Sequence, residues 1–366
     1  MPGFLLVPPL PQYCLWFVVV AAVDEIAGLM CTESTRSIGI QCQRAPIAFY
    51  QCWRLSEKKF RFLTGVTQDN FEVLYQFLGG DEMAQILKYY SYKKKTPTKP
   101  ISSFLEPRDR LFMTLLRLRR GVPIVDLSHL FGIGVGSACA ICYTWTRVMS
   151  LQFQRFQRDL FVTCEVQDTD PNPLFEKFPN LRVIVDATEF KIQRPFHFQM
   201  QSNTYSEYKG ANTLKYVIGI SRSGAISFVS KGYEGSCSDK HMIRECGFLD
   251  LLQEDDGVMV DRGFDIEPEL NKIKCHLYMP PFKGKRKHVT AREEMKSKAI
   301  TSVRAFVEIA NSRIRDFRLI RGVIPMKLLP VMDDLVLIAC MLTNMGEVYV
   351  PQKDNNNNNS NADEEF

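Results

Sequence analysis

Apolar residues recur along this chain in two rhythms, and the change between them divides it. From Thr67 onward, Phe71, Leu74, Phe77 and Leu78 fall at helical spacing, with Thr67-Gln68-Asp69 as a helix start and Gly79-Gly80 as its stop. From 107 to 150 the rhythm stays helical. Leu111, Leu115 and Leu118 share a face of a first segment, Arg108 to Arg119. Gly121 and Pro123 punctuate, a second segment runs from Ile124 to Phe131, and Gly132 to Gly136 form a tight turn. A third segment, Ser137 to Met149, puts Ile141, Trp145 and Val148 on one side. Beyond 180 the rhythm changes to short β-branched runs. Residues 181–187, 214–221 and 225–230 read as three antiparallel strands, with Ser223-Gly224 turning the last pair. A helix from Asp239 to about Gln253, a strand at 257–261, a helix at 266–272, a strand at 276–280 and a helix at 292–315 follow.

Three strands, then helix, strand, helix, strand, helix is the order of an α/β domain of RNase H-like type. The fold predicted is a mixed sheet with flanking helices, preceded by an all-helical region that carries a helix-turn-helix over 107–150. In such a sheet the first and fourth strands lie side by side. Asp186 ends the run Leu181 to Val185, and Asp261 ends the run Val258 to Val260. Val303, Val307, Ala310 and Ile314 repeat at helical spacing, which leaves Glu308 on the polar side with Arg304, Asn311 and Arg315. Two carboxylates thus leave neighbouring strand ends and a third reaches in from a helix. Hard divalent ions, most often Mg²⁺, are held by few carboxylates plus substrate phosphate. Two such ions about 4 Å apart activate an attacking oxygen and stabilise a leaving one. Singly, an Asp at a strand end is commonly a turn residue, and a Glu on a polar helix face is commonly solvated. Together, in this order, they point to a metal site for phosphodiester chemistry.

At 366 residues the chain has room for one large domain and a smaller one. Hydrophobic content of 45% and charged content of 24% fit a globular protein, and the net charge is +5. The positive charge is clustered: Lys93 to Lys95, then Lys283, Lys285, Arg286, Lys287 and His288, then Arg304, Arg313, Arg315, Arg318 and Arg321 around Glu308. Such patches neutralise phosphates, and the second also reads as an import signal. The eleven cysteines form no framework. Cys139 and Cys142 have CxxC spacing without a second pair, so core packing in a reducing compartment is expected rather than zinc. Residues 1–51 are unassigned: the apolar run Cys14 to Val23 is too short to span a bilayer and has no basic residue before it. Residues 52–150 read as a helical region with a Lys/Pro/Ser linker near 88–106, 181–345 as the sheet domain, and the Asn-rich tail 352–366 as disordered.

The phrases DATEFKIQRP, QSNTYSEYKGANTLKYVIGISRSGAISFVSKGYEGSCSDK, VMVDRGF, MPPF and VRAFVEIANSRIRDFRLI, long and in order, resemble the DDE endonuclease domain of the PIF/Harbinger transposase superfamily. The unit at 107–150 resembles the helix-turn-helix that precedes it there. The resemblance implies a nuclear enzyme that acts on double-stranded DNA by Mg²⁺- or Mn²⁺-dependent strand cleavage and transfer. It assigns the catalytic, metal-holding acids to Asp186, Asp261 and Glu308. It also implies the company of a homo-oligomer or a Myb-like partner that reads DNA and supplies nuclear entry, as in a domesticated nuclease lineage. One departure stands out: the family's helical Glu is followed by Arg, and here Ile309 takes that place.

Further residues carry secondary expectations. Asp239, in the family phrase GSxSD, is read first as a helix cap and then as an acid near the metals. Arg262 is expected to touch substrate phosphate and Gly263 to permit a tight turn. Lys209 and Lys215 flank a hairpin and are candidates to face DNA. Glu189, just beyond Asp186, is read as sharing its face on the extended chain and assisting a metal. On the third helix only Ser137, Cys142, Tyr143 and Arg147 offer groups that could read bases. Two function classes follow: a metal-dependent nuclease, favoured because all three acids are present, and a catalytically silent DNA- or protein-binding module, kept open by Ile309 and the sparse recognition helix.

Overall fold

The computed structural model describes residues 56–90, 105–167, 173–261, 263–264, 266–281 and 290–346. The expectations for residues 1–51, Lys93 to Lys95, the 283–288 cluster, Arg262 and the 352–366 tail lie outside these residues. The helical part comprises α1 (Glu57–Thr64), α2 (Gln68–Phe77), α3 (Gly80–Ile86), α4 (Pro107–Arg120), α5 (Ile124–Leu130), α6 (Val135–Phe156) and the single turn α7 (Cys164–Gln167). The Thr67 hydroxyl caps α2 by accepting from the Asn70 amide at 3.1 Å, as its position suggested. Gly79 and Gly80, at φ +96° and +55°, do end that helix. They turn the chain straight into α3, an element the sequence reading missed. On α4, Pro107 sits at the first helical position and the Asp109 carboxylate accepts from the Glu106 amide at 3.1 Å. The third helix of the helix-turn-helix, α6, starts two residues earlier and runs seven residues further than Ser137 to Met149. Trp145, Phe112 and Phe131 are fully buried where α4, α5 and α6 meet.

After this unit come β1 (Leu181–Lys191), α8 (Phe198–Thr204), β2 (Tyr205–Ser206), β3 (Ala211–Ile220), β4 (Ile226–Val229), β5 (Tyr233–Glu234), α9 (Asp239–Glu245), β6 (Gly257–Met259), α10 (Glu267–Lys272), β7 (His276–Tyr278), α11 (Ala291–Ile314), α12 (Arg318–Arg321) and α13 (Met332–Asn344). The seven strands form one mixed sheet along the path β2-β3-β1-β6-β7. β1 runs antiparallel to β3 and parallel to β6, and β6 runs parallel to β7. The outer edge of β3 is covered in turn by β2, β5 and β4. β2 and β5, two residues each, are too short to leave a period in the sequence. The expected helix from Asp239 to Gln253 breaks at Gly247, φ +73°, into α9 and a 3-10 turn at Leu249–Leu251.

Alternate residues of β1 feed two cores. Ile184 and Phe190 pack with the helical part, α11 and α13, while Val183 and Val185 pack with Met242 and Ile243 of α9. The helical unit is anchored on α13 by polar contacts. Arg147 and Ser150 of α6 hold the buried Asp334 carboxylate at 2.5 and 2.6 Å, and Asn70 donates to the Met345 carbonyl at 2.6 Å. Arg147, expected among the base readers, is committed here. Cys142, another, is buried, and its thiol is pushed up to about 12 by that burial. The mixed sheet, its covering helices and the preceding helix-turn-helix make this an RNase H-like α/β fold.

Candidate active site

Strand register brings the two aspartates together. Ile184 of β1 stands opposite Met259 of the parallel β6. Two residues further along each strand, on the same face, lie Asp186 and Asp261. Val260 keeps the path straight by donating its amide to the Tyr278 carbonyl at 3.1 Å. α11 crosses that face with Ile300, Val303, Val307, Ala310 and Ile314 buried. Of its polar stripe, Arg304, Asn311 and Arg315 turn toward the two aspartates and β1, while Glu308 stays exposed. Asn311 donates to the Asp186 carboxylate at 2.8 Å. Arg315 donates to the Thr188 hydroxyl at 2.6 Å and sits 5.8 Å from the Phe190 ring. Arg304 donates to Asp261 at 3.1 Å. Glu308, one turn on from Arg304, is exposed, and so is Ile309 beside it.

Residues 185–344 match the family model described as DDE superfamily endonuclease, and residues 103–154 match that described as Helix-turn-helix of DDE superfamily endonuclease. The two matches support a DDE transposase family. A search of the curated proteins and one of the solved structures found no match. The endonuclease match spans Asp186, Asp261 and Glu308, and it implies a transposase-like nuclease.

In this domain the charges around Asp186 are out of balance. Burial pushes its carboxyl up to about 6; Arg304 opposes the shift, and the negative charges of Asp261 and Glu308 add to it. Two buried polar atoms at the same place have no hydrogen-bond partner, the Asn311 side-chain oxygen and Arg304 Nε. A half-buried carboxylate raised chiefly by desolvation and further by its acidic neighbours, with an orphan oxygen beside it, is a donor set that suits a hard cation. Among the described residues, no three acidic, His or Cys side chains already stand within reach of one ion.

The remaining candidates lie elsewhere. Glu189 is three residues beyond Asp186, so on an extended strand it faces the opposite side. There it accepts from the Thr213 hydroxyl at 2.8 Å and lies 3.9 Å from Lys215. Lys215 also meets Asp239 at 3.5 Å and donates to the Cys237 carbonyl at 3.0 Å. The expected capping role falls to Ser238, whose hydroxyl accepts from the His241 amide at 3.3 Å. Asp239 is left free of that task and close enough to the site to feel Asp261; burial chiefly raises its carboxyl. Lys209 lies 4.4 Å over the Tyr208 ring, on the excursion between β1 and β3. Asn311, Thr188 and the pairing role of Arg304 escaped the sequence reading. Their signal was the spacing 304, 308, 311, 315, an unbroken polar stripe on a helix that must cover a sheet.

The raised carboxyl predicts a stability gain on removing its charge. In an unfolded chain an Asp titrates near 3.9, whereas folded Asp186 titrates at about 6. Between those values the folded state holds a proton that the unfolded state has released. Asp186 therefore costs stability progressively as pH rises through that window. Asp186→Asn keeps an oxygen for Asn311 and should raise stability above pH 6 by about 1–3 kcal/mol, with the gain fading below pH 4. Melting temperatures of both proteins across pH 4–8 in EDTA check this; equal melting at pH 7.5 would refute it.

Proposed function

We propose that the chain is a divalent-metal-dependent DNA endonuclease of transposase type, of Harbinger kind, that hydrolyses phosphodiester bonds and transfers strands. The observation that carries this reading is the register that sets Asp186 beside Asp261 under the Glu308 stripe of α11. Asp186, Asp261 and Glu308 would hold Mg²⁺ or Mn²⁺, which supplies activation of the attacking oxygen and stabilisation of the leaving one. The chain's own part is positional. Asn311 orients the Asp186 carboxylate, Arg304 offsets the charge of Asp261, and Arg315 ties α11 to β1 through Thr188. These contacts would hold Asp186 and Asp261 side by side at the strand ends, with Glu308 to join them on the ion. The helix-turn-helix supports DNA binding. Its third helix exposes Gly134, Val135 and Gly136 in its opening turn, groups that cannot read base edges by side-chain hydrogen bonds. This favours backbone-dominated binding to duplex DNA and leaves sequence reading to a partner, for which a Myb-like protein is the proposal, or to further subunits of a homo-oligomer. A nuclear location follows from that substrate.

A second reading, a silent DNA-binding module, draws on the Arg304–Asp261 bond and on Ile309 in the place of an arginine. One experiment separates the two. Supercoiled plasmid is incubated with the full chain in Mn²⁺, Mg²⁺ or EDTA. Nicking or linearisation with either ion and none in EDTA is expected; DNA bound but uncut under all three conditions would establish the silent module.

A further inference from the structure

On the β3 side of the endonuclease domain, a groove of about 1260 Å³ opens between the β1–β3 excursion and the loop before α9. Small-molecule sites occupy roughly 300–1,000 Å³, so this one has room for a length of polymer. Its walls include Phe198, Tyr205 and Tyr208, which are 84%, 48% and 84% exposed, and Phe196 beside them is 88% exposed. Four large aromatic side chains left in water within thirteen residues mark a contact surface rather than a core. Arg194 and Lys215 line the groove with Glu207 and Asp239, and Lys215 is paired with Asp239, so Arg194 and the neighbouring Lys209 are the cations left for a ligand. Arg194 is held by the neutral Gln201 amide oxygen at 2.8 and 3.0 Å, and Lys209 rests on the Tyr208 face. Lys215, Asp239 and Gly263 also line the groove. Gly263 is two residues from Asp261, and a Cβ placed there would stand 3.6 Å from the Asp239 carboxylate. The groove therefore runs up to the loop that carries a candidate catalytic acid.

Exposed aromatic faces with Arg194 among them and Lys209 at the rim, along a trough wide enough for a chain, are the chemistry that binds unpaired nucleic acid: bases stack on rings while phosphates meet the cations. Duplex DNA would present only its backbone and leave the rings unused. A protein partner would leave the cations without a role. We propose that this groove binds single-stranded DNA flanking the scissile position, with Phe198, Tyr205 and Tyr208 as stacking faces and Arg194 and Lys209 as phosphate contacts. The proposal rests on the nuclease reading only for its biological sense; binding itself can be read without cleavage.

The test is fluorescence anisotropy of the full chain in EDTA with a mixed-sequence 20-nucleotide single strand and with an abasic strand of the same length and charge. The intact strand is expected to bind about tenfold tighter than the abasic one. Phe198→Ala and Tyr208→Ala should each weaken the intact strand by roughly five- to tenfold and leave the abasic strand nearly unchanged, while Tyr208→Phe, which keeps the ring, should bind as the parent. Both positions are exposed, so matched melting curves are expected. Equal binding of intact and abasic strands, or alanine variants that bind the intact strand as tightly as the parent, would overturn the proposal and point to a protein occupant. Metal-dependent plasmid cutting, assayed separately, reports on the nuclease reading alone: cutting without the stacking signature refutes the groove, and the stacking signature without cutting refutes the nuclease.

Discussion

Asp261→Asn is expected to lose metal-dependent DNA cleavage by a factor on the order of 10³ or more, while melting within a few degrees of the parent. The two magnitudes have different origins. A carboxylate that holds a hard cation provides charge that an amide cannot replace, and cation stabilisation of a phosphodiester transition state amounts to several kcal/mol. Each 1.36 kcal/mol is tenfold in rate. The folding side is small. The Asp261 side chain is 48% exposed, and its pair with Arg304 spans 3.1 Å. Pairs with one partner this exposed are worth about 0–1 kcal/mol, and the Asn oxygen can still accept from Arg304. Cleavage of supercoiled plasmid in Mn²⁺, with parallel thermal melting, measures both quantities. A variant that cuts at a rate comparable to the parent would remove Asp261 from the site. Loss of cutting with collapsed melting would reassign it to the fold.

The sheet, and the placement of Asp186 and Asp261 at neighbouring strand ends, were legible because they sit on regular elements. A run of β-branched residues ending in Asp announces a buried strand with a polar end, and Val303, Val307, Ala310 and Ile314 fix the buried side of α11. Other features were hidden for identifiable reasons. Helical amphipathicity says which side is apolar but not what each polar residue meets, so the partners of Arg304, Asn311 and Arg315 stayed hidden although Glu308 reads as reaching in from the helix. Glu189 depended on parity: an odd step along a strand reverses the face, and its partners proved to be Thr213 and Lys215. Ser238 and Asp239 are adjacent and both can cap, so only geometry could assign the cap to one and leave the other beside the site. α3 vanished behind Gly79-Gly80, since paired glycines signal a stop and carry no sign of what begins next.

Asp256→Ala should cost about 3–5 kcal/mol, the largest stability loss expected of any single charge in the sheet domain. Asp256 precedes β6 and Arg182 is the second residue of β1; their side chains are 6% and 4% exposed and meet at 2.5 Å. Arg182 also donates to the carbonyls of Val162 and Phe161 at 3.2 and 3.0 Å and stacks 4.7 Å over the Phe161 ring. Asp256 accepts from the Gln253 amide at 2.6 Å. Removing the carboxylate leaves a guanidinium deep in the protein without its counter-charge, which costs far more than the pair contributes over an apolar substitute. The exposed pair Lys274–Glu254, at 71% and 62% exposure, is the control: Glu254→Gln should change stability by less than about 1 kcal/mol. The buried pair also bears on the site. It ties the starts of β1 and β6 together where their register shifts between Leu181 and Val183. Asp186 and Asp261 are brought together further along those same two strands. Asp256→Ala is therefore expected to lose cleavage at temperatures where most of the protein is still folded. Denaturant unfolding of Asp256→Ala, Arg182→Met and the double variant would resolve the coupling, because the second substitution should cost much less in the presence of the first. Additive losses, or an Asp256→Ala variant as stable as Glu254→Gln, would show that the pair does not hold the two strands together.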